Sequence, residues 1–286
     1  MARIGPPIPN RFIEARVHLV EPLPGLSGLC AGYESGQWRC TQLAAHLMEW
    51  LPEFALKWSE WIDLSHYNAI GLLRRAATVV YTTDKYAKRG EFGELILHAA
   101  LRQLFDTVPA ISKLYFKDSE NETVKGFDAV HVVVSDEELE LWLGEAKFYS
   151  DIRRAIGDAV EEVILHTDKD YLRSEFALIR NKIDAEWPYS SRLDALIDPN
   201  TSLDDVFARI CIPVLLTYNS EVVSSFVEVS EEYELALENE VRTYHAIFCE
   251  TEGLPDLRIH LVLFPLGSKS DLVEALNDSL QAMQTI

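Results

Sequence analysis

The sequence is short of positive charge. Its 26 lysines and arginines face 46 aspartates and glutamates, a formal net charge of -20. Tight non-specific nucleic-acid binding rests on neutralising phosphates, so the surface as a whole is a poor nucleic-acid platform. Any DNA contact needs a local basic patch or a partner that presents the DNA. Cysteine is also scarce: Cys30, Cys40, Cys211 and Cys249 show no C-x-x-C spacing. That argues against a disulfide framework and suits a reducing compartment. Cys30, Cys40 and His46 are too scattered to read as a zinc site. No apolar run approaches the ~20 residues of a membrane span. The opening M-A-R-I-G-P-P-I-P-N lacks a signal-peptide core. The expected location is the cytoplasm.

What is present is an ordinary core-forming composition, 48% hydrophobic and 25% charged over 286 residues. Ile13 to Val20 reads as a strand, followed by a Pro/Gly-rich loop, E-P-L-P-G-L-S-G. Leu43, Leu47, Leu51, Phe54, Trp58 and Trp61 recur at helical steps, with a break expected at Pro52. A second helix begins near Ser65, and together these segments predict a mostly helical N-terminal lobe over residues 1–85. Trp50, Trp58 and Trp61 read as core rather than as base-stacking groups. Residues 86–286 form the expected second domain: a helix Glu91–Phe105, a short strand Ile111–Lys117, a hairpin, and a helix capped by Ser150 or Asp151. That helix is expected to bury Ile152, Ile156, Val160 and Ile164. More helix follows to about Glu186, then a buried strand Ile210–Tyr218, whose Pro213 suggests a bulge or an edge position. An acidic helix Ser230–Glu250, a strand Arg258–Leu266 and a closing helix Asp271–Met283 complete the chain.

The hairpin is the most informative stretch. In G-F-D-A-V-H-V-V-V-S-D-E-E-L-E-L-W-L-G-E-A-K-F, two apolar runs flank the polar turn Ser135–Glu138. Counting outward pairs Val134 with Leu139, Val132 with Leu141, Val130 with Leu143, and then Asp128 with Glu145. Opposed like charges in an antiparallel pair are about 5 Å apart and destabilising. Lys147, two residues on, shares that face, whereas His131 points to the other. Two carboxylates and a lysine at the end of an apolar face either form a charged hairpin end in solvent or hold a divalent cation. Mg²⁺ takes oxygen ligands of this type, and metal-assisted phosphodiester hydrolysis is the chemistry that uses them. E-A-K alone proves little; the aspartate opposite it carries the reading.

The order helix, three strands, helix, strand, with Asp128 on the second strand and Glu145-Ala146-Lys147 on the third, resembles the PD-(D/E)xK nuclease superfamily. The resemblance implies an α/β restriction-endonuclease-like core, a mixed central sheet flanked by helices, beside the helical N-terminal lobe. It also implies a metal-binding glutamate from the first core helix, for which Glu94 in R-G-E-F-G-E-L matches best and Glu91 is the other choice. The superfamily's proline is absent, since Gly126 and Phe127 precede Asp128. R-G-E-F-G-E, K-G-F-D-A-V-H and W-L-G-E-A-K-F-Y are further similar to the HamA family, nuclease subunits of the Hachiman anti-phage defence system. That resemblance implies a Mg²⁺-dependent deoxyribonuclease, with Mn²⁺ a possible substitute, and a superfamily 2-type helicase partner, HamB. The metal would be held by Asp128, Glu145 and Glu94, with Lys147 completing the catalytic set. DNA contacts are expected at Lys85, Lys88 and Arg89 and at Arg153 and Arg154. The alternatives are a catalytically silent subunit that docks on and regulates a helicase, and a standalone restriction- or repair-type nuclease. His98 and His131 read as structural.

Overall fold

The computed structural model describes residues 8–81, 90–112, 126–135 and 138–286. In chain order the elements are β1 (Glu14–Leu19), β2 (Gly25–Cys30), β3 (Tyr33–Glu34), β4 (Gln37–Trp38), α1 (Cys40–Glu49), α2 (Leu51–Ala55), α3 (Trp58–Trp61), α4 (Ala69–Tyr81), α5 (Gly90–Phe105), β5 (Val108–Pro109), β6 (Ala129–Val134) and β7 (Leu139–Phe148). There follow α6 (Ile152–His166), α7 (Lys169–Lys182), α8 (Ser190–Leu196), α9 (Leu203–Phe207), β8 (Ile210–Asn219), α10 (Glu221–Ser225), α11 (Glu231–Cys249), β9 (Arg258–Leu266) and α12 (Lys269–Thr285). Seven strands form one mixed sheet in the order β1-β2-β9-β8-β7-β6-β5. β2, β9, β8 and β7 run parallel, and the pairs β1–β2, β7–β6 and β6–β5 are antiparallel. Helices flank the sheet, so the chain is an α/β protein.

Local sequence explains where many helices start. Asp151, Asp168, Ser202, Ser220, Ser230 and Ser268 each accept a hydrogen bond from a backbone N–H in the first turn of the helix that follows. The break expected at Pro52 is real: α1 ends at Glu49 and Pro52 sits in the first turn of α2. Trp50, Trp58 and Trp61 are core residues, as expected.

Three expectations need correction. The Pro/Gly-rich segment is a loop only as far as Pro24; Gly25 to Cys30 is a wholly buried strand. Its small residues allow close packing, for a Cβ on Gly28 would stand 3.0 Å from Val241. Residues 1–85 therefore supply helices α1–α4 and also two strands of the main sheet. Second, Pro213 lies in a central strand, between β7 and β9. Proline has no N–H to give to a ladder. The β7–β8 pairing is interrupted there, and Gly144 leaves room for the ring, since a Cβ at that position would come 3.4 Å from Pro213 Cγ. Third, α6 buries Ile152, Ile156, Val160 and Val163 and ends with a buried His166, while Ile164 is 42% exposed. The expected strand Ile111–Lys117 falls mostly outside the described residues; pairing with β6 begins earlier, at Val108 and Pro109.

Candidate functional site

The hairpin has the register read from its turn. Val134 pairs with Leu139, Val132 with Leu141, Val130 with Leu143, and the ladder runs to Ala129 opposite Gly144. Asp128 continues it: its N–H donates to Gly144 O at 2.8 Å, and its Oδ2 accepts from the Ala146 N–H at 2.9 Å. The aspartate is thereby held beside Glu145 at the carboxyl end of β7, next to the parallel strand β8. The carboxyl ends of parallel strands are where open α/β sheets place their ligands.

Strand alternation assigns the faces. Gly144, Ala146 and Phe148 lie against α5: a Cβ on Gly93 would meet Phe148 at 2.9 Å, and one on Gly144 would meet Leu97 at 2.8 Å. Glu145 and Lys147 therefore point the other way, toward α6. There the Glu145 carboxylate, 1% exposed, accepts a hydrogen bond from His166 Nδ1. The Lys147 ammonium donates to Glu162. The His166 ring is stacked on Tyr171 (centroids 4.6 Å apart, planes at 16°) and meets the edge of Phe127 at 5.3 Å. Burial opposes the charge on Lys147, but the Glu162 hydrogen bond and the charges of Glu162, Glu145 and Asp128 outweigh it and hold the ammonium above its ordinary value. Burial pulls His166 below its ordinary value, against the raising influence of Glu162, Asp128 and Glu175. Asp128, Glu145 and Glu162 thus face one ammonium and an imidazole that favours its neutral form.

Glu162, His166 and the nearby Glu175 were not singled out from the sequence. The one available signal was position: His166 continues the buried stripe Ile152, Ile156, Ala159, Val163 at steps of three and four. Gly126 sits tight against this cluster at φ +147°, where an added Cβ would overlap the Glu175 carboxylate.

The other predicted site residues are placed as follows. Glu91 and Glu94 are both partly buried in the opening of α5. Gly93 adjoins Ala146 and Phe148, so Glu94 starts at the level of the Asp128–Glu145 pair but across the sheet from Glu145. Arg153 and Arg154 are exposed at the start of α6; Arg154 lies over the Tyr149 ring at 5.1 Å and 3.6 Å from Asp158. Lys85, Lys88 and Arg89 lie outside the described residues. Among the described residues, no group of three or more His, Cys, Asp or Glu side chains is gathered in a metal-ligating arrangement. The oxygen donors of Asp128 and Glu145 are nevertheless of the kind a hard cation takes.

His131 faces away from Asp128, into a separate buried network. Thr107 Oγ1 is 2.8 Å from His131 Nδ1, His131 Nε2 is 3.2 Å from His98 Nδ1, and His98 Nε2 is 3.5 Å from Glu53. Arg102 Nε donates to Glu53 at 3.1 Å, and its Nη1 donates to the Thr107 carbonyl. Burial raises Glu53, but His98 and Arg102 together hold it below the usual carboxylate range. This network ties α2 and α5 to the sheet.

A family model for HamA matches residues 6–280. The chain belongs to the HamA family. That membership covers both the N-terminal helices and the hairpin site, and it associates the chain with the Hachiman defence system. No curated protein matches the chain significantly. Among the described residues of this HamA-family chain, no helix is long and apolar enough to cross a membrane.

Proposed function

We propose that this HamA-family protein is a Mg²⁺-dependent DNA nuclease of PD-(D/E)xK type, acting in anti-phage defence under the control of a partner helicase. The observation that carries the reading is the hairpin register, which sets Asp128 beside Glu145 with Lys147 on the same face. Asp128 and Glu145 would hold the cation, with Glu94 as the third ligand and Glu91 as its alternate. When bound, Mg²⁺ (or Mn²⁺) supplies Lewis acidity to the phosphoryl oxygen and a more acidic bound water. Lys147 contributes as a charged donor. Its neighbours favour the ammonium, so at neutral pH it stabilises negative charge developing on phosphate rather than accepting a proton. The shortage of surface cations suits a nuclease that stays quiet until a helicase delivers DNA, with Arg153 and Arg154 the next cations along the chain after Lys147.

The test is DNA cleavage by purified protein in Mg²⁺, with and without its helicase partner. Loss of cleavage in Glu145→Ala and in Lys147→Ala is expected; wild-type cleavage by both variants would end the assignment. A second reading, a catalytically silent subunit that docks on the helicase, draws on the engagement of Glu145 by His166 and of Lys147 by Glu162. Calorimetry separates the two: tight helicase binding with no Mg²⁺ or Mn²⁺ binding supports the silent subunit.

A further inference from the structure

We propose that α6 is a two-point clasp on the reactive end of β7, in which His166 positions Glu145 and Glu162 positions Lys147. The inference rests on the nuclease reading and adds to it two positioning residues and the element that carries them. Its basis is a match of spacings. Glu145 and Lys147 are two residues apart on a strand, a rise of about 6.7 Å. Glu162 and His166 are four residues apart on a helix, a rise of about 6 Å. α6 turns back after Ser150 and runs opposite to β7, so Glu162 meets Lys147 and His166 meets Glu145 at nearly equal heights. One helix face thereby grips both side chains, and a shift of α6 along its axis changes both grips together.

The chemistry of each grip is directional. A carboxylate only accepts, so the Glu145 contact requires the hydrogen on His166 Nδ1. The imidazole cannot swing away, being stacked on Tyr171 and edged by Phe127. An ionised carboxylate as buried as Glu145 needs a donor. A locked imidazole supplies one while fixing which way the carboxylate turns, as hydrogen-bonding partners behind metal ligands do. At the second point Glu162 holds an ammonium that is itself 6% exposed. Apolar residues would fill the same space; the polar pairs set rotamers.

The experiment compares His166→Ala and His166→Asn in the full-length protein, because the asparagine amide can donate from nearly the position of Nδ1. Calorimetric titration with Mn²⁺ should show affinity reduced about 10–100-fold in the alanine variant and restored to within a few-fold by asparagine. Denaturation midpoints should move alike for both. Equal affinity in wild type and His166→Ala, or equal loss in Ala and Asn, overturns the clasp. In metal-free wild type, ¹⁵N imidazole spectra should show His166 protonated on Nδ1; a hydrogen on Nε2 alone overturns it as well. For Glu162, alanine should lower kcat about 10-fold with KM for DNA unchanged, and glutamine, which keeps the acceptor oxygen, should recover most of it. Equal kcat in Ala and Gln removes the second point. The nuclease reading fails separately, when Glu145→Ala and Lys147→Ala cut as wild type does.

Discussion

The hairpin β6–β7 carries buried polar clusters on both faces, and they are balanced differently. On the α5 face, Glu53 is matched by Arg102, and the two histidines pass a chain of contacts from Thr107 to Glu53. Arginine cannot give up its charge, so that face is complete within itself. On the α6 face, Lys147 engages Glu162 and His166 engages Glu145 at the carboxyl end of β7, with Asp128 beside them and Glu162 43% exposed. Solvent therefore shares in balancing the α6 cluster. The α5 cluster is balanced within the protein, whereas the α6 cluster reaches solvent through Glu162. Two polar clusters on one hairpin can thus be told apart by whether solvent reaches them.

The comparison is open to direct attack. The largest effect is expected from Glu145→Ala or Lys147→Ala, which should reduce cleavage by roughly 10²–10³-fold, read as single-turnover rates. Arg102→Ala should do the reverse, leaving cleavage per folded molecule intact while costing about 3–5 kcal/mol in urea denaturation, because Glu53 is left buried and unmatched. A large rate loss in Arg102→Ala at full stability would show the two faces to be one site. Next in size is Gly144→Ala, whose Cβ would press on Leu97 at 2.8 Å, on Ala129 at 3.1 Å and on Pro213 at 3.4 Å. It should cost about 1–3 kcal/mol by overpacking, measurable as a lower thermal midpoint.

The smallest effect per residue is on pH dependence, and it lies mostly on the structural side. Burial lowers His46 to about 4 and His260 to about 3, and it holds His98 and His131 below their ordinary value. Each stays neutral in the folded protein at pH values where the unfolded chain takes up a proton. The unfolded state then binds more protons, so stability rises with pH. Stability should be level above about pH 6.5 and fall as pH drops toward 4. His260→Gln should flatten that acid limb in thermal melts at pH 7 and pH 5; an unchanged limb would show that this histidine contributes nothing to it.

What was legible in the sequence follows from the range over which each feature is determined. Register needs only a turn and a two-residue period, so the approach of Asp128 to Glu145 could be counted along one short stretch. The cap of α6, read as Ser150 or Asp151 and found at Asp151, was legible for the same reason. β2 was not, because G-L-S-G-L-C has the composition of a loop and becomes a strand only by lying between β1 and the distant β9. The partners of Glu145 and Lys147 were missed because they depend on how α6 is rotated on the sheet. Half a stripe's error there exchanged Ile164 for Val163 and hid His166. Glu94 came from family likeness rather than from any local rule, and its backbone starts across the sheet from Glu145.

The turn at Ser135–Glu138 now carries a role that its distance from the chemistry conceals. Ser135 and Glu138 close it through a backbone bond of 2.9 Å and hydroxyl contacts of 2.9 and 3.2 Å. Its near end, Ser135, lies seven residues from Asp128, about 23 Å along β6. In a hairpin the loop length fixes every pair beyond it, and a slip of one residue turns each side chain to the opposite face. The turn is therefore the gauge to which the reactive end is cut: one residue added there, far from any phosphate, would swing the aspartate toward α5 and leave Glu145 facing a backbone that no longer matches it.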